Sequence, residues 1–178
     1  SWPFHFLEKI GGDVLVLQLD QPIPNATLVT LNANPDLPVP RSLVTAVGNG
    51  FTSDRQQTIV PNAPLQQVTM RALPLKDCRN RLVNFTNVHL QDDGLLCTLA
   101  RSSTRSVCRG DSGGPLFDAQ VEGALQVGVT SFTQDCSARV TPNGFARVSH
   151  YYDWIQDQIC DLSDDCALPG KNYTPEAL

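Results

Sequence analysis

The sequence lacks long hydrophobic runs, basic clusters and closely spaced histidines, and each shortage argues against a class of function. Its longest apolar runs are strand-sized, well short of the roughly 18 consecutive residues that a membrane-spanning helix needs. The 13 basic residues are scattered singly among 18 acidic ones, so neither nucleic acid nor an anionic membrane is an expected partner. The sequence therefore predicts a soluble chain.

Metal-binding spacings are also missing. The three histidines are widely separated and no Cys-x-x-Cys pair occurs, so we expect disulfides from the six cysteines, and neither metal nor cofactor. Disulfides predict an oxidising compartment, and sequons at Asn25, Asn84 and Asn172 agree with a secreted, extracellular glycoprotein. The first residues, from Ser1, lack the features of a signal peptide, which predicts a processed end or the edge of a fragment.

Short apolar or alternating segments, each closed by Gly, Pro, Asn or Asp, make up the first 148 residues. This pattern is typical of an all-β sandwich or barrel. Residues 31–41, with three prolines, predict a surface linker, and residues 160–178 a polar tail. Helices are predicted over 75–83 and 149–159. The predicted strands are 13–19, 42–47, 65–73, 94–98, 125–132 and 145–148.

The strongest chemical signal is the segment CRGDSGGPL at positions 108–116. Glycines around Ser112 let the backbone adopt positive φ and bring N–H groups close to a reacting atom, as an oxyanion hole requires. For any Gly-x-Ser-x-Gly match, a plain glycine-rich turn between strands is the alternative. The nucleophile elbow of α/β-hydrolases is disfavoured, because that elbow runs into a helix and here Pro115 and strand-like segments follow.

The full nonapeptide resembles the nucleophile loop of chymotrypsin- and trypsin-like serine proteases, and other segments match this family in order along most of the chain. The family's triad runs His, Asp, Ser, with roughly 90 residues between acid and serine. Asp13 opens a segment, DVLVLQL, that resembles the family's Asp-Ile-Ala-Leu-Leu, and it lies 99 residues before Ser112. Its alternative role is a strand-initiating acid after two glycines.

Two further segments carry the resemblance. Residues 48–50, Gly-Asn-Gly, lie where the family has Gly-Trp-Gly, and residues 144–154 resemble its final strand and helix. The resemblance implies a double β-barrel with a C-terminal helix. Its parts would be the remnant of the N-terminal barrel (1–30), an inter-barrel linker (31–41), the C-terminal barrel (42–148), the helix (149–159) and a disulfide-stapled tail (160–178).

The cysteines alone permit 15 pairings. The resemblance implies the bridges Cys78 to Cys97 and Cys108 to Cys136, which leaves Cys160 for Cys166.

Catalytic roles follow from the resemblance position by position. Ser112 would be the acyl-forming nucleophile, and Asp13 the acid that orients the base. The N–H groups of Gly110 and Ser112 would form the oxyanion hole. Asp111 would pair with the new N-terminal amine that activation releases.

Substrate would bind by β-augmentation along Ser131, Phe132 and Thr133. Ser106 would lie at the floor of the specificity pocket, with Asn143 and Thr133 in its wall. Because Ser106 carries no charge, the resemblance predicts small or medium uncharged side chains rather than Lys or Arg.

The family's Ala-Ala-His-Cys segment and Ile-Val-Gly-Gly start are absent, and none of His5, His89 and His150 lies where the triad places its base. Without an amine partner, Asp111 is expected to turn to solvent and leave Gly110 misaligned. The reduced first barrel is expected to expose apolar surface. The chain alone is therefore predicted to be neither stable nor catalytic.

Two hypotheses remain open. In the first, the chain is a fragment of a secreted, monomeric serine endopeptidase that acts on polypeptides through a Ser112 acyl-enzyme. In the second, it is a catalytically inactive homologue that binds or inhibits another extracellular protein.

Overall fold

A computed structural model describes residues 12–56, 58, 63–86, 93–101, 105–134, 136 and 141–162. The chain is mostly β, as predicted, with a helix at the C-terminal end of the described residues. The strands are β1 (Thr30–Leu31), β2 (Leu43–Gly48), β3 (Gln66–Ala72), β4 (Leu95–Ala100), β5 (Pro115–Asp118), β6 (Leu125–Phe132) and β7 (Asn143–Arg147). The helices are α1 (Leu75–Thr86) and α2 (Val148–Leu162).

Six strands close into an antiparallel barrel in the order β2, β3, β4, β7, β6, β5 and back to β2. Closure leaves these strands without an open edge, which removes the backbone groups that would otherwise need another partner. The two-residue β1 is added beside β6 in parallel. The predicted barrel is thus confirmed for this part of the chain.

The barrel interior is filled by every second residue of its strands, as the pleat of a strand requires. In β2, for example, Val44 and Ala46 point inward and are buried. Phe145 of β7 is the largest fully buried side chain in the described residues. A second cluster, of Cys78, Leu82, Leu95 and Cys97, packs α1 against β4.

Residues 31–41 cross the barrel surface and are fastened to it by polar contacts. The N–H of the buried Asn32 donates to the carbonyl of Gln126 in β6 at 3.0 Å. Arg147 of β7 donates from Nη1 to the carbonyl of Leu37 at 3.3 Å. Burial lowers the pKa of Arg147, and the charge of Asp93 partly offsets this effect.

The prediction of a strand over 13–19 is wrong for this structure. No strand among the described residues lies alongside it, and a strand needs a neighbour to satisfy its backbone groups. The exposed apolar surface that we expected is present: Leu15, Leu17 and Leu19 are 77%, 74% and 60% exposed. We call residues 12–19 the acid segment.

The remaining predicted elements correspond to observed ones with shifted ends. The helix predicted over 75–83 extends to Thr86, and α2 begins at Val148, within the last predicted strand. Among the described residues no helix combines the length and the apolarity that crossing a bilayer would take.

The barrel core should depend strongly on Phe145. Replacing it by Ala removes a fully buried ring, so we expect the free energy of unfolding to fall by about 3–5 kcal/mol. Leu65→Ala, at a site that is 69% exposed, should change it by less than about 0.5 kcal/mol. Urea denaturation of the two variants of the full-length protein measures both effects, and similar losses would contradict this placement of the core.

Candidate functional site

Ser112 lies in the turn before β5, within residues 108–114, which we call the serine loop. Its side chain is exposed, and glycines with left-handed backbone lie close by on both sides: Gly110 has φ 90° and Gly113 φ 82°. Side chains other than hydrogen are strained at such angles, so these turns need glycine.

Strand β6 holds the serine loop through its backbone. The Gly113 N–H donates to the Thr130 carbonyl at 2.8 Å, and the Thr130 N–H donates to the Gly114 carbonyl at 2.9 Å. The Thr130 hydroxyl donates to the same carbonyl at 3.1 Å. The residues after Ser112 are therefore fixed against a strand that is paired on both sides.

Asp111 is bound by backbone rather than turned to solvent, so our expectation for it was wrong. Its Oδ1 accepts from the Gly50 N–H and its Oδ2 from the Cys108 N–H, each at 2.8 Å. Two N–H donors compensate for partial removal of a carboxylate from water. A Cβ at Gly50 would lie 2.6 Å from the Asp111 Cγ, and one at Gly48 3.0 Å, so both glycines make room for this side chain.

A cleft of about 330 Å³ lies beside Asp111. Its lining includes Val47, Phe51, Arg105 and Ser106. The cationic side chain of Arg105 and the carboxylate of Asp111 therefore line the same cleft.

Asp13 is brought to the same strand as the serine loop. The Ser131 hydroxyl of β6 donates to Asp13 Oδ2 at 2.8 Å, although the two residues are 118 positions apart in the sequence. Neighbouring residues of β6 therefore hold the two glycines that follow Ser112 and the carboxylate of Asp13.

The predicted pocket residues meet around the amide of Asn143, which is fully buried. Its Oδ1 accepts from the Thr133 hydroxyl at 2.8 Å, and its Nδ2 donates to Ser106 Oγ at 2.9 Å. The amide thereby links the end of β6 to the segment before the serine loop.

Two residues that sequence reasoning missed complete this network. Asn143 Nδ2 also lies 3.5 Å from the hydroxyl of Thr98 and 3.4 Å from the sulfur of Met70. No local pattern marks either residue, because they reach Asn143 only through the pairing of β3, β4 and β7.

The Phe132 side chain lies against the cluster between α1 and β4. It is half-buried and packs against the cluster of Cys78, Leu82, Leu95 and Cys97. A Cβ at Gly144 would lie 2.7 Å from the Phe132 Cδ1, so that glycine leaves space for the ring.

Two disulfides hold the surroundings of the site. The structure joins Cys78 to Cys97 and Cys108 to Cys136. Cys160 is also disulfide-bonded, and Cys166, its predicted partner, lies outside the described residues. Asp54 lies near the sulfurs of the second bridge, but sulfurs joined to each other offer no thiolate to a metal.

The remaining predicted positions fall as follows. Asn25 is exposed, Asn84 lies in α1, and Asn172 lies outside the described residues. His5 and His89 also lie outside them. His150 is on α2, with its ring edge-on to Tyr151 at a centroid distance of 4.8 Å.

A sequence model of the Trypsin family matches residues 6–155. The chain belongs to the trypsin family. A tryptase from Mus musculus is 29% identical over 171 residues, an alignment that covers 88% of this chain and 59% of the tryptase. The structure of neuropsin, described as a serine protease expressed in the limbic system of mouse brain, superposes with a TM-score of 0.61 at 22% identity.

The neuropsin superposition covers 75% of this chain and 54% of the neuropsin chain. This chain therefore spans little more than half the length of these relatives. Membership of the trypsin family supports a serine protease in general, and the two disulfides are consistent with an extracellular protein.

The backbone bonds to Asp111 should make its charge hard to replace. Asp111→Asn keeps one acceptor oxygen for one of the two N–H donors, and its NH₂ group would face the second donor. We therefore expect the free energy of unfolding to fall by about 1–2 kcal/mol. Asp153→Asn, on the exposed side of α2, is the matched control and should change it by less than about 0.5 kcal/mol. Equal effects of the two substitutions in urea denaturation of the full-length protein would contradict this role of Asp111.

Proposed function

We propose that this chain is the larger part of a secreted serine endopeptidase, which hydrolyses peptide bonds through an acyl-enzyme on Ser112. One observation carries the proposal: neighbouring residues of β6 hold the loop of Ser112 and the carboxylate of Asp13. A protein of this fold that only binds has no chemical need for the Ser112 hydroxyl. The fixed strand gives the precision of placement that such chemistry requires.

In the proposed mechanism the Ser112 Oγ attacks the peptide carbonyl carbon while its proton passes to a histidine base. The N–H groups of Gly110 and Ser112 stabilise the negative charge that develops on the carbonyl oxygen. Asp13 orients the histidine and stabilises its protonated form. The leaving amine takes that proton, and water then releases the acid product from Ser112.

The base would come from the portion of the protein that this chain does not include. The relatives are considerably longer than this chain, and the acid segment presents leucines to solvent. Burying a leucine contributes about 1.5–3 kcal/mol, so a packed partner over Leu15, Leu17 and Leu19 would contribute substantially to stability. The first barrel of the same domain is the partner we propose.

The test is reaction of the full-length protein with a fluorophosphonate probe. We expect labelling at Ser112, with displacement of fluoride from phosphorus, because only an activated serine reacts rapidly. Ser112→Ala should abolish labelling and lower peptide hydrolysis by roughly 10⁶-fold, the scale for loss of a triad serine. Ser53→Ala, at an exposed serine outside the serine loop, should react as the wild type does.

A folded full-length protein that is not labelled would overturn the endopeptidase proposal. Sequencing the transcript upstream of Ser1 tests the same proposal independently. A residue other than histidine roughly 45 positions before Asp13 would also overturn it.

For the substrate, we propose a small or medium uncharged side chain next to the cleaved bond. The hydroxyl of Thr133 bonds to the buried amide of Asn143, and Ser106 bonds to the same amide. A pocket formed around these groups would be shortened by Thr133, and none of these three side chains is a carboxylate that could bind a substrate cation.

Thr133→Gly should therefore widen the substrate range. Removing the side chain opens the pocket, so we expect kcat/KM for a leucine substrate to rise by about 10-fold or more relative to an alanine substrate. Thr133→Val is the matched control, since it keeps the volume and loses only the hydroxyl. The same rise in both variants would show that bulk at this position does not limit the pocket.

A second candidate is an inactive homologue that binds another extracellular protein. Phe132 and Thr133 stand where the family usually has tryptophan and glycine, and both are engaged with the body of the barrel. Such a cleft would suit recognition better than turnover. The same labelling experiment discriminates, because this candidate requires an unreactive Ser112.

A further inference from the structure

The acid segment is tied to α2 at the residue just before Asp13. The Gly12 N–H donates to the hydroxyl oxygen of Tyr151 at 2.5 Å, across 139 positions of sequence. Gly12 has φ 86°, a backbone angle that glycine adopts without strain. The Tyr151 hydroxyl thus meets the backbone immediately N-terminal to the proposed triad acid.

The backbone around Asp13 is a tight turn, so a contact at Gly12 acts directly on Asp13. The Val14 N–H donates to the Gly12 carbonyl at 2.8 Å, which closes a three-residue turn with Asp13 at its centre. On the other side, the Ser131 hydroxyl holds the Asp13 carboxylate. Asp13 is therefore fixed through its backbone by α2 and through its side chain by β6.

The barrel makes space for the Tyr151 hydroxyl. A Cβ on the buried Gly94, just before β4, would lie 2.9 Å from the Tyr151 Cζ. The backbone at Gly94 is itself held in place, because its carbonyl accepts from the Arg147 N–H at 2.7 Å. The phenol ring thus lies against a fixed part of the barrel.

We propose that Tyr151 is a positioning residue for Asp13, acting through the Gly12 N–H. This rests on the proposed function, in which Asp13 orients the base. Packing over the leucines of the acid segment, which are exposed in this structure, would be non-directional and would not by itself fix the orientation of the Asp13 carboxylate. Loss of one neutral hydrogen bond allows Asp13 to move relative to Ser131, and small displacements in a catalytic group lower the rate of reaction more than they affect binding.

The test is the rate at which a fluorophosphonate probe labels Ser112 in the full-length protein. For Tyr151→Phe we expect the maximal labelling rate, kinact, to fall roughly 2- to 12-fold, with KI for the probe unchanged. Tyr152→Phe, the adjacent half-buried tyrosine, is the matched control and should keep the wild-type rate. Because Ser131 acts on the same carboxylate, Tyr151→Phe and Ser131→Ala should be non-additive in kinact.

A purely structural role would lower the Tm of Tyr151→Phe but leave its kinact at the value of Tyr152→Phe, and that result would overturn the proposal. Additive effects with Ser131→Ala would overturn it as well. A wild-type protein that is not labelled at all overturns the proposed function first, and this inference with it. Should Tyr151→Phe fail to fold, hydrogen exchange in the wild-type protein decides. We expect slow exchange at the Gly12 amide, and exchange at the rate of an unstructured peptide would show that the Gly12 N–H is not bonded to Tyr151 and overturn the proposal.

Discussion

Pairing of β6 with β5 on one side and β7 on the other holds the parts of the site in one frame. From this strand Thr130 bonds to the glycines that follow Ser112, and Ser131 bonds to Asp13. Thr133, just past its end, bonds to Asn143. Three separate parts of the sequence are therefore bonded to Thr130, Ser131 and Thr133, at the end of β6 and just after it. Because β5 and β7 are both barrel strands, β6 cannot shift relative to them without breaking the barrel, so the distances between these groups are set by the fold.

The serine loop meets a second constraint, that of a partly buried charge. Asp111 could satisfy its carboxylate with an amine, with water or with backbone N–H groups, and in this structure it accepts from Gly50 and Cys108. That arrangement needs glycine at the last residue of β2, Gly48, and again at Gly50, since a Cβ at either position would clash with the carboxylate. The Gly-x-Gly turn and the Gly-Asp-Ser segment therefore depend on one another although 60 residues separate them. A substitution in either segment would disturb the other, because both contact the carboxylate of Asp111.

The parts of this structure that depend on neighbouring residues in the sequence, such as turns and strands, could be predicted from the sequence. The residues around Ser112 carry their own turn chemistry, and the alternating apolar residues of β2 and β6 mark strands without further context. Thr98 and Met70 could not be found in this way, because they reach Asn143 only after β3, β4 and β7 have paired.

The prediction of a strand over the acid segment was wrong for a related reason. Its pattern is that of a strand, but among the described residues no neighbouring strand satisfies its backbone. The expectation for Asp111 failed because it allowed for an amine partner and overlooked backbone donors.

The same acid segment connects stability to chemistry. Its polar contacts, from Gly12 to Tyr151, from Asp13 to Ser131 and from Gln18 to the carbonyl of Leu162, all point toward the barrel and α2. Its leucines point away and are exposed, so a few exposed hydrogen bonds hold it, each with a net contribution of about 0.5–1.5 kcal/mol. Covering the leucines would add a larger, non-directional contribution to the free energy of unfolding. The hydrogen bonds would still determine where the Asp13 carboxylate lies. Packing of a first barrel and placement of the triad acid would then be coupled through one short segment, with burial supplying the stability and β6 and α2 supplying the geometry.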